Sequence, residues 1–191
     1  MANTHQAFGH VVDSARGHAL VLFDTRLHIP PPAFGSLVRI ADGDDWIYGF
    51  IYNAIVRNAE TPGHRPFSFH TELQVILIGS RSKKHPAEWP RQNIPDHAPK
   101  KKSPAWVCSE EEWYAFSIET NFIKIIFDSP FNVPADALIA TIVRRLASIY
   151  PDPHNFLMRI GKELSSLVPG EPERIQILLH KISYSFTSKL I

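Results

Sequence analysis

The stretch from Gly35 to Arg57, GSLVRIADGDDWIYGFIYNAIVR, decides the fold. It contains two runs of strand-forming residues separated by Asp42-Gly43, a dipeptide that favours a tight hairpin turn. The second run is long enough to bend around a small barrel, and Gly49 inside it is typical of a β-bulge or a sharp bend. We therefore expect a β-barrel built around this hairpin.

Three more strands are predicted on the two sides of the hairpin. Gly9–Ala15 and His18–Asp24 are short and rich in Val and Leu, and the glycine of Arg16-Gly17 can supply the positive φ of a turn between them. Three consecutive prolines then interrupt the pattern at residues 30–32, because proline has no N–H for a sheet ladder. Glu72–Arg81 is a nearly continuous apolar run of strand length. Five strands are thus predicted by residue 82.

Residues 83–104 differ in composition from the strands before them. Five of these 22 residues are Pro and six are Lys or Arg, and the apolar periodicity is lost. We interpret the segment as an exposed Pro/Lys-rich linker or long loop, with Trp89 as an apolar anchor that holds it to the barrel. Further on, Ser109 with Glu112 fits a capping box, but the aromatic and β-branched residues of Phe122–Phe127 favour a strand.

From Pro134 onward the apolar residues recur at intervals of three and four, which predicts helices. Pro151 and Pro169-Gly170 divide this part of the chain into three amphipathic helices. The predicted fold class is therefore α+β: a small N-terminal five- or six-stranded β-barrel in residues 1–82, the linker in residues 83–104, and a mixed strand/helix subdomain in residues 105–191 that ends in three helices.

Composition and charge restrict the functional classes. The net charge is only +1, so no overall field attracts the protein to nucleic acid or to an anionic membrane. The single Cys108 excludes an internal disulfide, fits a reducing compartment, and is expected to be a buried apolar residue. The first ten residues lack the pattern of a signal peptide, and no segment has the ~20 apolar residues of a membrane helix. We expect a cytoplasmic protein with no membrane insertion.

Known catalytic and cofactor motifs are missing from the sequence. The nearest approach to a phosphate-binding loop is Gly79-Ser80-Arg81-Ser82-Lys83-Lys84, which lacks the paired glycines and the terminal Lys-Ser/Thr. None of the ten histidines belongs to an HxxxH or HExxH pair. We therefore expect no catalytic residues, no cofactor and no metal, although an active site assembled from scattered residues would leave no such motif.

The order of features from Gly9 to Ser82 resembles the HAS-barrel, the small β-barrel of HerA-type DNA-translocating ATPases and of the N-terminal domains of ATP synthase α and β subunits. The resemblance covers roughly 40% of the chain. In that family the barrel is not catalytic and the ATPase motifs lie in a following domain, so the resemblance implies an assembly or partner-docking module. The residues that carry it are Gly9-His10-Val11-Val12, Gly35-Ser36-Leu37-Val38-Arg39-Ile40, Tyr48-Gly49-Phe50-Ile51 and Val75-Ile76-Leu77-Ile78-Gly79-Ser80.

Two functional hypotheses follow. The first is a non-enzymatic protein-interaction or assembly module, in which the barrel and the helices dock a larger protein partner such as an ATPase or a complex. The alternative is an OB-like single-stranded nucleic-acid-binding protein that stacks bases on aromatic side chains and contacts phosphates with lysines. Nucleic acid is the less favoured partner because of the near-neutral charge. The residues expected to contact either partner are Tyr48, Phe50, Tyr52, Lys83, Lys84, Lys100, Lys101 and Lys102.

Overall fold

Six antiparallel strands close into a barrel in the first part of the chain. The structure, a computed structural model, describes residues 6–59 and 68–187. It divides the chain into two units, of which the first ends at Ser109 and the second begins at Glu110. The strands follow the order β1-β2-β5-β4-β3-β6 around the barrel. They are β1 (Gly9–Ala15), β2 (His18–Phe23), β3 (Leu37–Asp42), β4 (Asp45–Ala59), β5 (Ser68–Ser82) and β6 (Pro104–Val107).

The five predicted strands are confirmed, together with both turn glycines. Gly17 has φ 84° between β1 and β2, and Gly43 has φ 56° between β3 and β4. Alternate residues of the strands form the barrel core, so that Ile47 and Ile51 of β4 pack with residues such as Val38 and Val75. This alternation is what a half-buried strand requires, since successive side chains point to opposite faces.

The register around Gly49 shifts as the sequence predicts. One irregularity lies between Tyr48 and Gly49 and a second between Ile51 and Asn53. Each bulge increases the local twist, which lets a 15-residue strand coil around a small barrel. The pairing of β5 with β2 ends at Glu72. On the N-terminal side of Glu72, β5 pairs only with β4, and the two strands form a two-stranded ribbon. Residues 60–67 of the predicted loop after β4 lie outside the described residues.

The basic segment at residues 83–104, predicted to be an exposed linker or long loop, belongs to the barrel unit. Arg91 pairs with Ser80 through two backbone hydrogen bonds of 2.9 and 3.0 Å and so extends the β5 edge. Pro104–Val107 then returns as β6, which pairs with both β1 and β3 and closes the barrel. The barrel therefore ends near residue 108 and not at residue 82. Trp89, expected to anchor this segment, is 57% exposed.

Five α-helices form the described part of the second unit. The three predicted helices are present, and Asp152 caps the middle one by accepting a hydrogen bond from the Asn155 N–H at 3.0 Å. Arg174 of the last helix donates to Asp136 at 3.0 Å. The helices are α1 (Glu110–Phe116), α2 (Asn121–Phe127), α3 (Ala135–Ile149), α4 (Pro153–Leu167) and α5 (Pro172–Thr187).

The strand predicted at Phe122–Phe127 is wrong, because this segment is helix α2. Its aromatic and β-branched residues favour a strand by propensity. However, Phe122, Ile123 and Ile126 are separated from one another by one, three and four positions along the chain, and all three are buried. That spacing places them on one helical face, and burial of the face outweighs a propensity worth only tenths of a kcal/mol per residue.

Candidate binding sites

The three aromatic residues proposed for base stacking are buried. Tyr48 is 0% exposed, Phe50 1% and Tyr52 7%. They alternate with Ile47 and Ile51 of the barrel core and do not belong to that core themselves. The three rings therefore share one face of β4, as the pattern predicts, and it is the face turned away from the barrel core. In this conformation none of the three rings offers a free face to a nucleic-acid base.

Three of the five predicted lysines, Lys83, Lys84 and Lys100, contact the acidic turn between β3 and β4. Lys83 Nζ donates to the Gly43 carbonyl at 2.7 Å and lies 4.7 Å from the centre of the Trp46 ring. Lys84 Nζ lies 2.6 Å from Asp44, and this ion pair lowers the pKa of the Asp44 carboxyl. Two of the predicted cations thus have partners within the barrel unit.

Lys100, Lys101 and Lys102 lie along the same side of the barrel unit. The Lys100 N–H donates to Asp42 at 3.3 Å, and Lys101 Nζ lies 3.5 Å from Asp13. Lys102 has φ 71° and donates its backbone N–H to Val11 at 2.7 Å. The charge of Lys101 is therefore placed close to a carboxylate, which weakens its attraction for a polyanion, whereas the contacts of Lys100 and Lys102 are made by the backbone.

Asp42 holds the basic segment to the turn. Its side chain is buried, and its Oδ1 accepts hydrogen bonds from the Lys100 N–H at 3.3 Å and from Ser103 Oγ at 3.4 Å. His97 Nε2 lies 3.3 Å from Asp42 Oδ2. One carboxylate therefore contacts three points along residues 97–103, which explains how a proline-rich segment adopts a defined path.

A polar cavity of about 300 Å³ lies between the end of β5 and this segment. The residues that line it include Arg81 and Arg91, the acidic Asp45 and Asp96, and Trp89. The backbone pairing of Arg91 with Ser80 fixes the segment against the strand. This cavity could not be predicted from the sequence, because its residues come from separate parts of the chain and match no motif.

The second unit contains an open apolar groove of about 770 Å³ along α4 and α5. Leu157 and Met158 of α4 and Leu179 of α5 line it, and Met158 and Leu179 are 53% and 41% exposed. His154 and Lys162 also line the groove, and none of its lining residues, all within the described helices, is acidic. The sequence predicted apolar stripes on both helices, but not that Leu179 of the α5 stripe is exposed or that Met158, outside the predicted α4 stripe, lines the same groove.

Gly161 lies in the middle of α4 and lines the groove. A β-carbon at this position would meet no atom within 4 Å beyond its own helix turn and neighbours. A mid-helix glycine costs roughly 1 kcal/mol relative to alanine. Packing among the described residues therefore gives no reason for glycine here.

Within the described residues, no group of three His, Cys, Asp or Glu side chains is placed to hold a metal ion. None of the described helices is long and apolar enough to cross a lipid bilayer. No model of a known protein family matches the chain, and no curated protein sequence matches it either. The HAS-barrel resemblance therefore stays a prediction, and the structure shows a six-stranded β-barrel.

Proposed function

We propose that the protein is a non-enzymatic interaction module that binds an acidic amphipathic helix of a larger partner protein in the groove between α4 and α5. The single observation that carries the proposal is the exposed apolar groove with glycine at its wall. Exposed contiguous apolar surface on a folded protein is typical of an interaction site. The six-stranded barrel is the scaffold of the module, and a cytoplasmic location belongs to the same proposal.

The dimensions of the groove favour a helix as the occupant. Its α4 side extends from His154 to Ser166, which is about 18 Å at a rise of 1.5 Å per residue. Three turns of a partner helix have this length and would place apolar side chains at i, i+3, i+4 and i+7 against Leu157, Met158 and Leu179. Gly161 would let the two helix backbones approach closely.

The charge of the groove favours an acidic helix. Lys162 and His154 line it without any carboxylate among the lining residues. Acidic residues that flank the apolar stripe of a partner helix would therefore meet complementary charge, which increases the rate and the specificity of association. A basic partner helix would meet Lys162 as a like charge.

The test uses a displayed library of helical peptides selected on the full chain. Peptides that bind the wild type should be enriched in acidic residues and in the i, i+3, i+4, i+7 apolar spacing, and they should fail to bind the Gly161→Arg variant, in which a long side chain fills the groove. Gly161→Ala is the matched control, and we expect it to retain binding.

A separate experiment tests whether the positive charge of the groove contributes to peptide binding. Lys162→Glu should weaken the selected peptides, whereas Lys181→Glu changes an exposed lysine of α5 that does not line the groove and should leave their affinity unchanged. The proposal fails if no peptide is enriched, if the enriched peptides bind Gly161→Arg equally well, or if they are basic.

A further inference from the structure

The barrel unit carries the polar cavity beside β5. Its volume of about 300 Å³ is at the lower end of the range of about 300–1,000 Å³ that is usual for small-ligand pockets. One wall is strand β5 and the other is the segment that the Ser80–Arg91 backbone pair fixes. The cavity is therefore bounded by ordered backbone on both sides, independently of the α4–α5 groove.

Arg81 in the wall of the cavity has an unsatisfied donor. Its Nη1 donates to the Pro86 carbonyl at 3.3 Å, and its guanidinium lies 6.0 Å from the centre of the Tyr48 ring. Its Nε is buried and has no hydrogen-bond partner within residues 6–59 and 68–187. A buried donor without a partner costs free energy, and such a group in a folded protein calls for a water, an ion or a ligand.

An anionic group is the ligand chemistry that suits this guanidinium. A planar guanidinium binds phosphate or carboxylate through parallel N–H donors. Arg91 brings a second guanidinium to the same cavity, and the hydroxyl of Ser80 is a further donor in its lining. Three side chains that can donate to an anion therefore belong to residues that line the cavity.

The remainder of the lining suits the other parts of a nucleotide. Trp89 lines the cavity and is 57% exposed, so its indole has surface on which a planar ring can stack. Asp45, Glu88 and Asp96 are acceptors for hydroxyl and amino groups. The same three carboxylates oppose a polyanion, which restricts the ligand to a single phosphate group.

We propose that this cavity binds a nucleoside monophosphate, with the phosphate at Arg81 and Arg91, the base against Trp89 and the sugar hydroxyls or the amino groups of the base at the carboxylates. Three observations in one cavity support the assignment: a guanidinium whose Nε has no partner among the described residues, an exposed indole, and carboxylate acceptors. A simple anion site would have no use for the indole or for the carboxylates.

Isothermal titration of the full chain with AMP, GMP, CMP and UMP tests the proposal. At least one of the four should bind. Adenosine, which lacks the phosphate, ribose 5-phosphate, which lacks the base, and inorganic phosphate, which lacks both base and sugar, should each bind more weakly. Absence of heat with all four nucleotides at millimolar concentration would overturn the proposal. Inorganic phosphate that binds as tightly as the best nucleotide would overturn it as well.

Three variants connect binding to the cavity. Arg91→Gln and Trp89→Ala alter exposed side chains, and each should raise the Kd about tenfold, as expected for one charged hydrogen bond or one stacked ring. Arg81→Gln should raise it at least as much, and its melting temperature shows whether it folds. Arg26→Gln is the matched control, since Arg26 is 88% exposed and lies outside the cavity. Unchanged affinity in both Arg91→Gln and Trp89→Ala would refute the assignment even if the wild type binds nucleotide.

Discussion

Gly49 of β4 faces the carbonyl oxygen of Ile76 on β5 so closely that a β-carbon at Gly49 would lie 2.6 Å from that oxygen. It would also lie 2.5 Å from Cγ1 of Val75 in the barrel core. The contact with the backbone cannot be relieved by a side-chain rotation, so any other residue must push the two strands apart. The bulge between Tyr48 and Gly49 thus depends on glycine.

Gly49→Ala should therefore destabilise the barrel, by about 1–3 kcal/mol or more, as overpacking does in well-packed cores. Urea unfolding followed by far-UV circular dichroism measures the change. Gly161→Ala is the matched control, and we expect it to change stability in the opposite direction. The space at Gly161 is open, so the higher helix propensity of alanine should raise the free energy of unfolding by up to roughly 1 kcal/mol. Equal stability of Gly49→Ala and the wild type would contradict the close approach of β4 and β5.

The core of the second unit is tested at Leu164 of α4, which is 0% exposed. Leu164→Ala removes three carbon atoms from a buried site and should lower the free energy of unfolding by about 2–5 kcal/mol. Met158→Ala on the exposed side of the same helix should change it by no more than about 0.5 kcal/mol. Thermal melts of the two variants separate the buried face from the groove face, and similar melting temperatures would mean that the two faces are assigned wrongly.

The fold could be predicted where the local sequence pattern agrees with the burial of the same residues in the folded protein. The Asp-Gly turn, Gly49 and the alternation of β4 all point to the same curved strand. Strand β6 was not predicted, because its four residues follow a proline-rich segment and their pairing partners, β1 and β3, lie more than 60 residues earlier. Helix α2 was missed because its composition and its spacing disagree, and the spacing prevailed.

The candidate sites could be predicted less well, because burial and contacts between distant residues do not appear in local sequence patterns. Alternation correctly placed Tyr48 and Phe50 on one face, but it cannot tell whether a face is exposed, and here both residues are buried. The lysines were identified as basic residues, yet their partners Asp42, Asp44 and Asp13 are distant in sequence or belong to another strand. Arg81 and Trp89 come together only through the fold of the segment after β5.

The stability of the barrel should depend on pH through His18 of β2. Burial lowers the pKa of His18, and the nearby Asp13 carboxylate offsets part of that effect. A histidine whose pKa is lower in the folded state binds fewer protons there than in the unfolded chain. The contribution of His18 to the free energy of unfolding is therefore complete above its pKa in the unfolded chain, about 6.5. It is lost as the pH falls below that value toward the lower pKa of the folded state.

His18→Gln should remove this dependence. The difference in free energy of unfolding between pH 7.5 and pH 5.5 should be smaller in the variant than in the wild type. Between pH 7.5 and pH 8.5, position 18 should add no pH dependence to the free energy of unfolding of either protein. Urea titrations at the three pH values provide the measurement. An identical acid dependence in the two proteins would show that His18 is not the group responsible.

The path of the basic segment should depend on Asp42. Asp42→Ala removes the acceptor of the Lys100 N–H and of the Ser103 hydroxyl and the partner of His97, and leaving buried donors unpaired costs about 1–3 kcal/mol. The segment contains lysines on both sides of residues 85–99, so its release can be followed as faster trypsin cleavage under native conditions. Asp44→Ala is the control, since the Asp44–Lys84 pair is exposed and contributes little to stability. Unchanged cleavage in Asp42→Ala, or equal acceleration in both variants, would mean that contacts other than the Asp42 carboxylate determine the path of the segment.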